Sequence, residues 1–119
     1  MINGLHALIY STDASADRAF LRDVLGFAHV DDGDGWLIFK MPPAELGVHP
    51  TTEPSPGGTA EVYLMCDDIE ATVTELSERG VEIAEKPTDK GYGIEAGIRL
   101  PSGGVLRMYE PRHALAKDL

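Results

Sequence analysis

A histidine and a glutamate occupy equivalent places in two similar segments of this sequence. His6 lies in a run of β-favouring residues that ends at Asp13, and Glu61 lies in a matching run that ends at Asp68. An offset of 55 residues relates the two runs throughout. Both side chains titrate and form hydrogen bonds, so their place in the fold decides whether they serve a binding site or only the structure. Taken alone, His6 is better explained as a hydrogen-bonded strand histidine.

Strand alternation sorts further side chains onto the same face as this pair. Small apolar residues occupy alternate positions of both runs and of the last strand in each half, which predicts contact with a helix. The opposite face should then line a cleft. The residues assigned to that face are His6, Glu45, His49, Glu61, Tyr63, Arg107 and Tyr109. Trp36, Tyr63, Tyr92 and Tyr109 are candidates for an aromatic wall against an apolar or planar ligand, although aromatic residues on strands are also common in plain cores.

The elements that position these residues come from an internal repeat. After each acidic cap, Asp13 and Asp68, apolar residues recur at helical spacing, and Gly26 and Gly80 end the two stripes. Short strands are expected after each glycine, at roughly 28–30, 36–40, 45–49, 82–85, 93–100 and 105–109. Each half therefore predicts a strand–helix–strand–strand–strand module.

Neither predicted half is large enough to bury its sheet alone, so the 119 residues should form one domain. We expect an α+β fold in which two βαβββ modules, related by a pseudo-twofold axis, form a curved mixed sheet around a cleft. The expected parts are module one at about 2–50, a linker at about 51–58, module two at about 59–112 and a frayed tail at 113–119.

Composition limits the partners. A net charge of −10 repels phosphate backbones and disfavours nucleic acid. No apolar run approaches the roughly 20 residues of a membrane span, and no signal peptide is visible, so we expect a cytoplasmic protein without a membrane partner. The single cysteine, Cys66, excludes an internal disulfide and is expected to be a small buried hydrophobe.

Two motifs carry a resemblance to a known family. His6, Asp13 and the helix end DVLGF at 23–27 resemble the opening of vicinal-oxygen-chelate proteins, the glyoxalase, bleomycin-resistance and dioxygenase superfamily. The segment LPSGGVLRMYEP at 100–111 is similar to their closing segment. The resemblance covers about residues 2–112 and implies the paired βαβββ fold. It also implies a homodimer, because relatives often dimerise and sometimes complete the cleft across the interface.

In metal-using members of that family, four ligands come from the first and last strands of the modules. The matching positions here are His6, Glu45, Glu61 and Arg107. Three of these could hold one divalent ion, such as zinc, manganese, iron or nickel, with His49 as a further nitrogen. Arg107 departs from the pattern, because a guanidinium stays protonated and cannot ligate.

The resemblance leaves two functions open. In the first, the metal binds a substrate's vicinal oxygens, Glu61 or Glu45 moves the proton, and the protein is a lyase, isomerase or dioxygenase. In the second, Arg107 neutralises Glu45 or Glu61 in place of a metal, and the protein binds or sequesters a small molecule, such as an antibiotic. The substrate-binding residues are expected to be Arg107, Tyr109, Tyr63, Trp36 and His49. The net charge favours a cationic ligand in the second case.

Overall fold

A computed structural model describes residues 7–9, 11–45 and 61–118 of the chain. The elements in chain order are α1 Ala14–Asp23, β1 His29–Asp31, β2 Leu37–Phe39, β3 Tyr63–Met65, α2 Ile69–Glu78, β4 Ile83–Asp89, β5 Gly93–Arg99, β6 Val105–Pro111 and a short 3₁₀ helix Ala116–Asp118. This mixture confirms the α+β class. None of the helices in this described part has the length and apolar character needed to cross a bilayer.

The two α-helices begin in the same way. The Asp13 carboxylate accepts a hydrogen bond from the Ala16 N–H at 3.1 Å, and the Asp68 carboxylate accepts one from the Ala71 N–H at the same distance. Each helix has 10 residues. These carboxylates satisfy N–H groups that the first helical turn leaves without partners, and they lie at the positive end of the helix dipole. Both predicted caps are confirmed.

The second half forms the predicted βαβββ unit. Its four strands lie in the order β3-β6-β5-β4, with β3 parallel to β6 and the other pairs antiparallel. Strand β4 runs to Asp89, beyond the predicted end at residue 85, because its pairing with β5 continues through two register shifts. Lysine, proline and aspartate at 86–89 resemble a turn in sequence, which explains the short prediction.

The core lies between α2 and one face of this sheet. Its buried apolar side chains are Ile69, Val73, Leu76, Val81, Ala96, Ile98, Leu100, Leu106 and Met108. Alternation along β5 and β6 supplies the sheet side, and the helical spacing of Ile69, Val73 and Leu76 supplies the helix side. The opposite face of the sheet, called the open face below, is therefore left for polar and aromatic residues.

The first half contributes a β1–β2 hairpin that forms a sheet of its own. Residues 7–9 of the predicted first strand are not in a strand, and neither is Glu45 at the start of the predicted third strand. The rest of both predicted strands, with His6 and His49, lies outside the described residues, as does the predicted linker. The pseudo-twofold relation of two complete modules stays a prediction.

Helix α1 is attached to the second half at two places. Its residues Phe20 and Leu21, together with Val24 and Leu25 just after the helix, pack against the core. The Asp17 carboxylate is buried, at 6% exposure, and accepts hydrogen bonds from the N–H of Ser102 at 3.1 Å and from its hydroxyl at 2.7 Å. A buried carboxylate needs such partners because losing water is costly.

The C-terminal segment differs from the expected frayed tail. Both guanidinium NH groups of Arg112 bond the Asp89 carboxylate, at 2.7 and 2.6 Å, and one also bonds the Gly91 carbonyl. Beside it, Glu110 accepts a hydrogen bond from the Ile69 N–H at 3.0 Å, rather than pairing with Arg112. The segment therefore folds back along β4 and the start of α2.

Candidate functional site

The open face carries most of the side chains that alternation assigned to a cleft. Leu106 and Met108 are buried toward α2, so Arg107 and Tyr109 point the other way. Register places Tyr63 beside Arg107 across the β3–β6 pair. It also places Glu95 beside Tyr109 across the β5–β6 pair. The sequence prediction thus brought Tyr63, Arg107 and Tyr109 to one surface.

Three tyrosines on this face form what we call the tyrosine cluster, Tyr63, Tyr92 and Tyr109. The Tyr109 ring is central, with its centroid 6.2 Å from that of Tyr63 and 6.2 Å from that of Tyr92. The Tyr63–Tyr109 contact is edge-to-face, an arrangement that aromatic quadrupoles favour. The imidazole of His113 lies on a further side of Tyr109, at 6.0 Å. The cluster provides an aromatic surface accessible from solvent, since Tyr92 is 61% exposed.

Glycine at position 93 makes room for the central ring. A Cβ atom built on Gly93 collides with the Tyr109 ring and comes within 2.8 Å of the Glu110 carbonyl oxygen. Only a residue without a side chain therefore lets Tyr109 lie across β5.

Two tyrosine hydroxyls donate to carboxylates. Tyr63 donates to Glu61 at 2.8 Å, and Tyr92 donates to Glu95 at 2.5 Å. Burial, together with the bond to Glu61, raises the pKa of Tyr63. The bond to Glu95 raises the pKa of Tyr92. Both hydroxyls thus remain protonated donors through the physiological range, since the carboxylates favour the neutral phenol.

Arg107 finds a different partner from the one predicted. Its guanidinium lies 3.5 Å from the Glu85 carboxylate, and the Lys90 ammonium lies 3.6 Å from the same carboxylate. The expected pairing with Glu45 or Glu61 is wrong within the described residues. The register shift in β4 sets Glu85 opposite Gly97, next to Arg107, whereas Glu61 is held by Tyr63.

Glu45 reaches the same region from the first half. Its side chain is 14% exposed, accepts the Lys117 backbone N–H at 3.0 Å and lies 3.9 Å from Nε2 of His113. His113 therefore lies between Glu45 and Tyr109. The C-terminal segment brings this part of the first half to the edge of the tyrosine cluster.

The described residues do not by themselves assemble a set of metal ligands. In the ranges 7–9, 11–45 and 61–118, no three His, Cys, Asp or Glu side chains come together at ligand spacing. Glu61 and Glu45 already accept hydrogen bonds from protein donors, and the fourth family position is the cationic Arg107. His6 and His49 lie outside the described residues, so their predicted roles stay predictions.

Trp36 lies apart from the tyrosine cluster. It is 56% exposed and packs under the Arg18 guanidinium, whose carbon is 4.5 Å from the ring centroid. This contact is a cation–π pair within the first half. The aromatic wall of the described residues therefore consists of the three tyrosines without Trp36.

Glu95 is the main site residue that the sequence reasoning missed. It is buried at 5% exposure on a strand whose other face is core. The signal was present, because Gly93, Glu95 and Gly97 alternate with the apolar Ile94, Ala96 and Ile98. Sorting β5 by alternation, as was done for the first and last strands, finds it.

A hollow lies elsewhere on the described part of the chain. A depression of about 530 Å³ separates the end of α1 from the β5–β6 turn and is lined by residues that include Phe20, Arg79, Arg99 and Pro101. None of the predicted site residues within the described ranges lines it. The open face, in contrast, carries four of the groups considered for function, Tyr63, Tyr109, Glu61 and Arg107.

The fold agrees with comparison to known proteins. The Glyoxalase/Bleomycin resistance protein/Dioxygenase superfamily model matches residues 5–108, and the chain belongs to that superfamily. The family resemblance seen in the sequence is confirmed. No curated protein matches the sequence.

Solved structures share the fold over nearly the whole chain. One is TnmS3, an antibiotic binding protein from Streptomyces sp. CB03234, at 25% identity and a TM-score of 0.66, covering 92% of this chain and 97% of that one. A second is a virulence protein from Salmonella typhimurium, at 22% identity and TM-score 0.62, covering 93% and 98%. A third is a lactoylglutathione lyase from Agrobacterium tumefaciens, at 23% and 0.60, covering 91% and 92%.

Proposed function

We propose that this protein binds a small organic molecule on the tyrosine cluster without needing a metal ion, as an antibiotic-binding or sequestering protein does. The observation that carries the proposal is the assembly of three tyrosine rings and two hydroxyl-bonded carboxylates on a sheet face that the core does not use. Aromatic walls with a few fixed polar groups are typical of small-molecule sites.

The chemistry of the face supports a ligand with a flat or apolar part. Such a part can pack against Tyr63 and Tyr109, which are held in place by each other and by the Tyr63–Glu61 bond. Rings fixed in this way lose little conformational entropy when a ligand binds. The likeness to TnmS3, described as an antibiotic binding protein, also supports this class.

The second candidate is a metal-dependent lyase, isomerase or dioxygenase that uses His6, Glu45 and Glu61. Its specific support is that Glu45 and Glu61 stand at the family's ligand positions, and that a lactoylglutathione lyase shares the fold. The described donors do not complete such a site, so no reaction step is assigned to it. In either case we propose a homodimer, as the family resemblance implies.

The deciding experiment measures binding and turnover on one preparation. Coumarin, a neutral planar probe, is titrated by calorimetry in the presence of EDTA, with wild type and Tyr109→Ala compared. Turnover of lactoylglutathione is then followed with zinc, manganese, iron or nickel added. The proposal predicts binding of coumarin that EDTA leaves unchanged and Tyr109→Ala abolishes. Turnover that requires a metal and is lost in Glu61→Gln would instead establish the enzyme.

A separate measurement addresses assembly. Light scattering coupled to size-exclusion chromatography gives the molar mass in solution, and the proposal expects twice the 12.8 kDa of the chain. A mass of one chain at all concentrations would contradict the homodimer and leave the ligand proposal standing.

A further inference from the structure

Glu95 is a buried carboxylate whose charge has little compensation. It is 5% exposed, and the Tyr92 hydroxyl is its side-chain donor. The two cations nearby in the described residues, Arg107 and Lys90, form ion pairs with Glu85 instead. Buried carboxylates are usually paired with a cation or several N–H donors, because desolvation of the charge is costly. A cationic group arriving at Glu95 would therefore be stabilised.

The surroundings of Glu95 suit a cation with apolar substituents. In register, Glu95 lies beside Tyr109, and its oxygen is held by Tyr92, so two electron-rich rings border it. Aromatic faces attract ammonium groups, most strongly where water is excluded. A second tyrosine–carboxylate pair, Tyr63 with Glu61, packs against Tyr109 as well.

The charge balance of the open face points in the same direction. Within the described residues, Arg107 and Lys90 both pair with Glu85, whereas Glu61 and Glu95 are bonded to tyrosine hydroxyls, so carboxylates outnumber cations among these five groups. The whole chain adds a net charge of −10. A field of this sign raises the local concentration of cations and repels anionic ligands.

From these three observations we propose that the tyrosine cluster takes an organic ammonium ion, and that Glu95 is the residue that selects its charge. The inference rests on the proposed function and names the ligand class of the same site. Tyr92 acts as the competing donor: it lies between Gly91 and Gly93, is 61% exposed, and must yield part of its bond to Glu95 when the cation binds.

The test compares a cation with its neutral isostere. Choline and 3,3-dimethylbutan-1-ol have nearly the same shape, and each is titrated against the full chain and followed by NMR. We expect choline to bind about tenfold more tightly, as a partly desolvated cation–π site with a carboxylate allows. In Glu95→Gln that preference should disappear. The matched control Glu82→Gln removes an equal charge from an exposed pair with Arg99 and should leave the preference intact.

A second variant keeps the test decisive if Glu95→Gln does not fold. Tyr92→Phe removes only the competing hydroxyl, so choline affinity should rise by about threefold, within the usual worth of one hydrogen bond. A purely structural Tyr92–Glu95 pair predicts no gain.

The outcomes separate the inference from the function on which it rests. Equal affinity for choline and the alcohol, or an unchanged preference in Glu95→Gln, overturns the inference, and it does so alone if coumarin still binds. Loss of coumarin binding as well as choline binding overturns both.

Discussion

The second half of the chain holds the core, whereas the described part of the first half is attached to that core. All the buried apolar side chains in the described ranges lie between residues 69 and 108. Residues 11–45 contribute one buried side chain, the carboxylate of Asp17, and a helix face that is only partly covered. Two halves with similar sequence patterns and identical helix caps therefore differ in how much apolar surface they bury.

The difference shows what an internal repeat does and does not specify. The caps at Asp13 and Asp68 fix where each helix begins, and this local chemistry is the same in both halves. Burial depends on what packs against each helix. For α2 the partner is a complete four-stranded sheet, while α1 packs on the edge of the same core.

The largest difference in the free energy of unfolding is expected between a side chain removed from the core and one removed from the first half. We expect Ile98→Ala, in the fully buried centre of β5, to lower the free energy of unfolding by about 2–5 kcal/mol. Val30→Ala, on the 64% exposed side chain in β1, should change it by less than about 0.5 kcal/mol. Urea unfolding followed by circular dichroism measures both. Similar losses at the two positions would contradict the assignment of the core to the second half.

The next largest loss of stability should come from breaking the Asp17–Ser102 contact between the two halves. Asp17→Ala leaves the Ser102 N–H and hydroxyl without their partner, and we expect a loss of about 2 kcal/mol. Ser102→Ala tests the same contact from the other side, and the double variant should lose less than the sum of the two single variants. Additive losses would mean that Asp17 stabilises α1 by some other route. Asp32→Ala, at an exposed aspartate in the same half, is the matched control.

Removing either of the two helix caps should lower the free energy of unfolding by a similar amount. Asp13→Ala and Asp68→Ala each remove one carboxylate-to-N–H bond of 3.1 Å, so each should cost about 1 kcal/mol. The same urea titration gives both values. A large loss for Asp68→Ala together with none for Asp13→Ala would show that α1 is not a stable part of the fold.

The smallest effect should appear in the titration of two exposed ion pairs. Arg112 lowers the pKa of Asp89 to about 2, from an ordinary value of 3.8, so their attraction is present above that ordinary value and is lost as the pH falls toward 2. In Arg112→Ala the Asp89 pKa should return toward 3.8, as carboxyl-carbon NMR would show. An unchanged pKa would contradict the anchoring of the C-terminal segment.

The Arg22–Asp23 ion pair in the first half provides a comparison for the Arg112–Asp89 pair. Arg22 lowers the pKa of its neighbour Asp23 by the same kind of hydrogen bond, but the two residues are adjacent in the chain. Arg22→Ala should therefore raise the Asp23 pKa without exposing any other segment. Arg112→Ala should also increase amide hydrogen exchange at 112–118, because its partner lies 23 residues away.

Much of the fold could be predicted from local signals. Helix starts follow from Asp13 and Asp68, the βαβββ order of the second half follows from its alternation, and the family follows from the two motifs. The long β4 could not be predicted, because residues 86–89 have turn-like types and join the sheet through register shifts. Such pairing depends on the neighbouring strand rather than on the segment itself.

The candidate site was predicted less completely, for a related reason. Alternation placed Tyr63, Arg107 and Tyr109 on one face, but it carries no information on which side chains meet across strands. Arg107 therefore received the wrong partner, and Glu95 was not considered. The pairing of Glu45 with the C-terminal segment joins residues 72 positions apart and leaves no local trace in the sequence.

The central claim is that the tyrosine cluster is a binding surface that works without a metal ion. Its most direct test is amide NMR of the labelled protein, titrated with coumarin in the presence of EDTA. Binding at the tyrosine cluster should place the largest shifts at Tyr63, Glu95 and Tyr109. Shifts confined to the depression lined by Phe20, Arg79 and Pro101, or shifts that appear only after a divalent metal is added, would contradict it.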